Sequence, residues 1–221
     1  MAISGWVENT LSPKLSKITG AKFFQAFRNA FFALMPLTIM GSVFMLITDF
    51  PISGYTDFMS GIFGEDWASF ITPGYRATLN MLGIFFAGTL SHELAVSYDV
   101  DDKLSLTILG IVAYVVVAPK VVLTDSGEEV KDVLSFNWLG TRGILTALIT
   151  SIITVSIFRW CIKKNATIKM PAGVPPMVVN AFAAIIPGVL IISVLLVING
   201  FCMVYAGSLP ETIFKFLQTP L

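Results

Sequence analysis

His92 is the single histidine of the 221-residue sequence, and Glu93 follows it directly. Imidazole titrates near neutral pH, and an ionisable group inside a membrane segment is a candidate for function, so the pair could pass a proton. The other reading is structural or interfacial, because His92 closes its apolar run instead of sitting within it. Zinc is excluded by spacing, since a helical HExxH site needs a second histidine where this sequence has Val96. Asp99, Asp101 and Asp102 share a short polar turn with Lys103 as the nearby cation, without the ligand order of a calcium loop. A solvated turn is expected there. Arg28, with Gln25 and Asn29, opens the first long apolar run. At that end it can snorkel to the interface, avoiding the roughly 2.5–3.5 kcal/mol that a cation costs at the bilayer centre. Cys161 and Cys202 fall near opposite ends of neighbouring antiparallel helices, too far apart for a disulfide, whose Cα atoms lie within about 7 Å. They are expected to be buried free thiols. Nothing in the sequence reads as a catalytic, metal or cofactor motif.

Whatever these residues do is set by their surroundings, which are apolar. Only 13% of residues are charged, about half the roughly 25% of soluble domains, while 55% are hydrophobic and the mean hydropathy is +0.81. That composition belongs to an all-α integral membrane protein. Fourteen basic residues balance fourteen acidic ones, without the basic stripe that nucleic-acid binding needs.

A hydrocarbon core of about 30 Å takes roughly 20 apolar residues as a helix. Residues 30–48, 144–162 and 178–198 meet this length. Residues 79–90, extended toward Pro73 and Val96, and residues 104–123, interrupted by Pro119 and Lys120, are weaker. Together they predict five transmembrane helices. Ahead of them Ile3, Val7, Leu11, Leu15 and Ile18 stack on one helical face opposite Glu8, Lys14 and Lys17. With Trp6 beside that face, an amphipathic interfacial helix is expected over 1–19, kinked at Pro13. The stretch lacks the apolar core and cleavage site of a secretory signal. With the N-terminus in the cytoplasm, nine of the fourteen Lys and Arg residues fall inside and five outside, as the positive-inside rule requires. Trp67 and Trp138 then mark the outer interface, Trp6 and Trp160 the inner one.

Helices in lipid approach closely where small residues recur every fourth position. Gly83, Ala87 and Ser91 form such a stripe in the second span, and Gly143, Ala147 and Ser151 form another in the fourth. Either could serve a contact within the chain or between two copies. Pro36 and Pro187, inside the first and fifth spans, predict kinks. Between the fourth and fifth spans, Pro171, Gly173, Pro175 and Pro176 make a stiff, non-helical loop. It either lines a cavity or serves as a proline-bounded connector.

From this loop outward the sequence resembles a known family, the enzyme IIC membrane component of bacterial sugar phosphotransferase systems, lactose/cellobiose (diacetylchitobiose) branch. The resemblance rests on FRNAFFALMPLTIMGS in the first span, LAVSYDVD after the second, LGTRGILTALITSIITVSIFRW in the fourth and IKMPAGVPPMVVNAFAAIIPG leading into the fifth, with the tail LPETIFKFLQTPL. It implies a bacterial cytoplasmic-membrane permease that takes up a β-linked disaccharide such as cellobiose or diacetylchitobiose, coupled to phosphorylation by a phosphocysteine on a cytoplasmic enzyme IIB. Neither Cys161 nor Cys202 looks like that donor. The match implies the family's N-terminal half alone, the five-span set associated with homodimerisation, with 206–221 as an amphipathic linker and 20–205 as the membrane domain. The family's sugar-contacting histidine and glutamate belong to the other half, and His92 does not replace the former. Carried over from the family, Pro171, Gly173, Val174, Pro175, Pro176 and Asn180 are candidate substrate-adjacent positions. A non-catalytic dimerisation or assembly module that binds no sugar alone is the alternative, and a small proton-coupled carrier using His92 and Glu93 is a third reading.

Overall fold

In the computed structural model, residues 21–123, 128–171, 173–205 and 207–218 are described. The segment expected as an interfacial helix, 1–19, lies outside them. Four helical stretches are long and apolar enough to cross a membrane: Lys22–Thr48, Trp67–Ser97, Thr141–Lys163 and Pro176–Tyr205. The first is the unbroken helix α1 (Lys22–Thr48), which keeps Pro36 inside it. Two short helices follow, α2 (Tyr55–Phe63) and α3 (Trp67–Arg76). After a 3-10 turn at Leu79–Met81 the chain enters α4 (Leu82–Ser97).

The weakest of the expected spans is the shorter helix α5 (Lys103–Val117), 15 residues, about 22 Å. Ala118 turns extended, as the residue before a proline does. The apolar residues beyond Pro119 do not continue the helix: strand β1 (Val121–Leu123) pairs antiparallel with β2 (Glu129–Lys131). Then come the single turn α6 (Phe136–Leu139), a 3-10 turn at Thr141–Gly143 and α7 (Ile144–Lys163). The last stretch divides into α8 (Pro176–Ala183) and α9 (Ile185–Tyr205). Pro187 is therefore not a mid-helix kink. It occupies the first turn of α9, where no N–H is needed, and the missing bond to Ala183 coincides with the break at Ala184.

The bundle is organised around α4, which packs on α1, α5 and α7, while α9 packs on α5 and α7. Ten of its sixteen residues are buried, which leaves the stripe of Phe85, Thr89, His92 and Val96 as its partly exposed face. Its neighbours come close because small residues allow it. The hydroxyl of Ser151 donates to the carbonyl of Ala87 at 3.0 Å, joining the two Gly/Ala/Ser stripes inside the chain. Against the same Ala87–Ser91 stripe, a Cβ on Gly110 would meet the Ser91 Cβ at 2.7 Å and the Ala87 carbonyl at 2.8 Å. By contrast α1 is peripheral. Ala26, Ala30 and Leu34 bury one stripe of it, and Phe32, Met35, Ile39 and Val43 point outward.

At the Thr48 end, the chain after α9 turns back at Gly207 (φ 91). Leu209–Ile213, within the stretch expected as an amphipathic linker, pack on α7 and α9. The Glu211 carboxylate accepts from the Ser208 backbone N–H at 2.6 Å and from its hydroxyl at 2.9 Å, starting α10 (Leu209–Ile213). Asn199 in α9 accepts the Leu209 N–H at 2.7 Å, and Phe214 lies edge-on to Trp138 and beneath the Arg142 guanidinium.

Candidate functional site

Two helices stop at the Lys22 end by the same device. After α4, Asp99 adopts a left-handed conformation (φ 54), and the Val100 N–H reaches back to Ala95 at 2.9 Å. After α7, Asn165 does the same (φ 54), and the Ala166 N–H bonds Cys161 at 2.9 Å. These are Schellman closures with Asp and Asn where glycine is commonest, residues whose short polar side chains tolerate that conformation. The first closure throws the Tyr98–Asp102 turn across the end of α7. Asp102 then caps α5, accepting the Ser105 N–H at 3.1 Å.

The result is a cleft of about 300 Å³, lined by Tyr98, Asp99, Asp101 and Asp102 from the turn, Phe158, Arg159 and Lys163 from α7, and Asn180 and Ala183 from α8. The Arg159 guanidinium stacks on the Tyr98 ring, 3.9 Å from its centroid, a cation–π contact that fixes both walls. The second oxygen of Asp102, Oδ2, is buried without a hydrogen-bond partner. A buried carboxylate oxygen left unpaired is costly, and Asp102 lines the cleft together with Asn180. Chemically it suits a neutral ligand rich in hydroxyls better than a simple ion, because acids and bases face each other across it.

Of the six positions carried over to the proline loop, Asn180 alone lines this cleft. Pro171, Gly173, Val174 and Pro175 run outside it, and Pro176 begins α8 at its first position, where a proline costs nothing. The aspartate turn is only partly the solvated one expected. Asp99 is exposed and pairs with Lys22 at 3.4 Å, but Asp102 faces inward. Sequence reasoning missed Tyr98 and Arg159, and took Asp102 for part of a solvated turn. The available signal was the abrupt run of three aspartates at the end of an apolar span.

His92 and Glu93 point to different neighbours. His92 Nδ1 lies 3.2 Å from the Thr107 hydroxyl, which itself donates to the Lys103 carbonyl at 2.8 Å, so the imidazole nitrogen is the donor. Glu93 accepts from the Asn29 amide at 3.2 Å, and Arg28 donates to the same Asn29 side chain at 3.4 Å. Each tie pins α4 to a different helix, and no hydrogen bond joins the two side chains into a relay. Among the described residues no group of His, Cys, Asp and Glu could hold a metal ion, and both cysteines are free thiols.

Comparison with known proteins agrees with this architecture. Residues 28–218 match the family model "Phosphotransferase system, EIIC". The cellobiose-specific EIIC component of Geobacillus stearothermophilus is 33% identical over 85% of this chain and 43% of its own length. The lactose-specific EIICB component of Staphylococcus epidermidis is 32% identical over 82% of this chain and 30% of its own. Among solved structures, the transporter ChbC, the IIC component of the N,N'-diacetylchitobiose-specific phosphotransferase system, superposes with a TM-score of 0.88 at 30% identity, over 97% of this chain and 51% of its own. The chain spans about half or less of the length of these relatives. An EIIC match running from α1 to the turn after α10 is decisive, and the chain belongs to the EIIC family of integral membrane permeases.

Proposed function

We propose that this chain is the N-terminal part of a phosphotransferase-system sugar permease, taking part in uptake of a β-linked disaccharide such as cellobiose or diacetylchitobiose. In this reading α5 completes a fifth crossing, the Lys22 end faces the cytoplasm, and the chain forms a homodimer. The cleft between the Tyr98–Asp102 turn, α7 and α8 borders the route by which sugar meets the phosphocysteine of enzyme IIB. The observation that carries the reading is the cleft itself, where Asn180 of α8 meets the Tyr98–Asp102 turn and the Arg159 guanidinium stacked on Tyr98. The names of the relatives support the substrate class, and the name EIICB of one supports a IIB partner.

The test is phosphorylation-coupled uptake of radiolabelled cellobiose in cells that make this chain together with the remaining permease half and its enzyme IIB. Uptake is expected to depend on the chain and to fall about tenfold in Asn180→Ala or Asp102→Asn, the weight of one hydrogen bond to a ligand. A thiol placed at Lys169 is expected to react only from the cytoplasmic side. Uptake that persists without the chain, or is unchanged in both variants, overturns the reading. The outward apolar face of α1, with Phe32, Met35 and Ile39 exposed, favours a second reading, a dimerisation module that binds no sugar by itself. That reading predicts full uptake by both cleft variants and loss of the dimer when α1 is altered.

A further inference from the structure

At the end of the bundle opposite the Asn180 cleft, the chain leaves the α-helix twice at one place. Between α3 and α4 it makes the 3-10 turn at Leu79–Met81, and before α7 the 3-10 turn at Thr141–Gly143. The two turns touch. Gly140 lets them do so, since a Cβ there would lie 3.3 Å from the Asn80 carbonyl. Irregular backbone in a membrane bundle persists where protein covers it or where it lines a watery cavity, and broken helices are where transporters expose polar groups to substrates. Here the breaks border two depressions of about 480 and 350 Å³ that share Asn80, Phe136 and Asn137. Both volumes fall in the range of roughly 300–1,000 Å³ typical of small-molecule sites.

The lining has a consistent chemistry. Asn80 and Asn137 make no side-chain hydrogen bond among the described residues, so each amide keeps its donors and its acceptor. Arg76 and Arg142 add donors, Thr141 adds a hydroxyl, and neither lining includes a carboxylate. Phe136 is 44% exposed and lies among Val122, Val130, Val133 and Leu134 in the larger depression. Amides that both donate and accept suit neighbouring hydroxyls, and an exposed aromatic face suits the C–H side of a sugar ring. We infer that these two helix breaks form a second, outward-facing sugar site, in which Asn80 and Asn137 bind the hydroxyls of a neutral disaccharide and Phe136 stacks on its ring before translocation. This rests on the proposed function for the choice of sugar and for the direction of the face.

Calorimetric titration of cellobiose into the purified chain in detergent tests it, with oligomeric state and far-UV circular dichroism checked for every variant. Saturable binding is expected, weakened about tenfold by Asn80→Ala and by Phe136→Ala. A second measurement does not depend on those variants. In Asn137→Cys, alkylation by a membrane-impermeant maleimide added from outside is expected to slow several-fold with cellobiose and not with equal glycerol. Absence of binding to the unaltered chain, or binding that Asn80→Ala and Phe136→Ala leave intact, overturns the inference, as does alkylation indifferent to cellobiose. Uptake by the two-part permease is measured in parallel. Uptake that continues while these variants are silent removes the outer site alone, whereas uptake absent from the unaltered permease removes the proposed function.

Discussion

Replacing Gly143 by alanine puts the close packing at the Thr48 end to the test. The buried hydroxyl of Tyr114 in α5 donates to the Trp138 carbonyl, and a Cβ on Gly143 would collide with both that hydroxyl and that carbonyl. The ring has nowhere to retreat. Tyr114 is 1% exposed, and a Cβ on Gly83, across from Gly143, would lie 2.8 Å from the same hydroxyl. Overpacking of a filled core costs about 1–3 kcal/mol, and the upper part of that range applies because one obstruction is backbone. Tyr114→Phe removes the donor and leaves a buried carbonyl. In a membrane bundle that costs about 1 kcal/mol, since measured interhelical hydrogen bonds average about 0.6. Phenylalanine also removes the nearest of the three atoms the alanine methyl would meet, so the double variant should cost about 1 kcal/mol less than the sum of the singles. Equilibrium unfolding in mixed detergent and dodecyl sulfate micelles, followed by circular dichroism, gives all four values. A Gly143→Ala protein within about 0.5 kcal/mol of the unaltered one, or a cycle additive within about 0.3–0.5 kcal/mol, would refute the reasoning.

Three other variants address separate links. Asn165→Gly should stabilise the chain by about 1 kcal/mol, because glycine bears no penalty in the left-handed closure of α7, and Asn165→Val should destabilise it by at least as much; unfolding midpoints decide. Asn199→Ala strands the buried Leu209 N–H, so amide exchange at Leu209 should accelerate by about tenfold or more, and an unchanged rate would mean that residues 207–218 are held by other contacts. Lys22→Ala should shift stability by no more than about 0.5 kcal/mol, since its pair with Asp99 is solvent-exposed.

The parts of the fold legible in the sequence are those written in long-range composition. The runs that became α1, α7 and α9 are apolar over a bilayer's thickness, and nothing in a soluble fold requires that. The Gly83 and Gly143 stripes were legible as period-four small residues, but their destination was not, because a stripe does not name its partner. The break after α3 was invisible for a physical reason. Arg76, Ala77, Thr78, Leu79 and Asn80 include neither proline nor glycine, and the nearby Pro73 lies inside α3. Tertiary packing against the turn at Thr141–Gly143 holds that break open, and propensity does not encode it. The Asn180 cleft is a similar case. Its turn lies about 60 residues from the α7 wall and about 80 from the α8 wall, and the close approach of α4 and α7 brings them together.

That approach bears on how such a bundle could take part in transport. A helix packed as closely as this one is through Gly110, Ser91, Ala87 and Ser151 has little room to slide. Moving α4 by even one methyl's width would drive the Gly110 face into Ser91. The Asn180 cleft and the Asn80 depressions lie near opposite ends of this helix, about 24 Å apart along its sixteen residues, so no shift of α4 opens one by closing the other. Under the proposed function, alternating access comes from motion against this bundle, with the bundle moving as one body. Amide exchange tests this directly. Residues of α4 should exchange only through global unfolding, with protection equal to the stability measured in micelles, whereas β1, β2 and the exposed turns exchange by local opening. Rapid exchange along α4, or protection there that changes when cellobiose is added, would show that the helix itself moves.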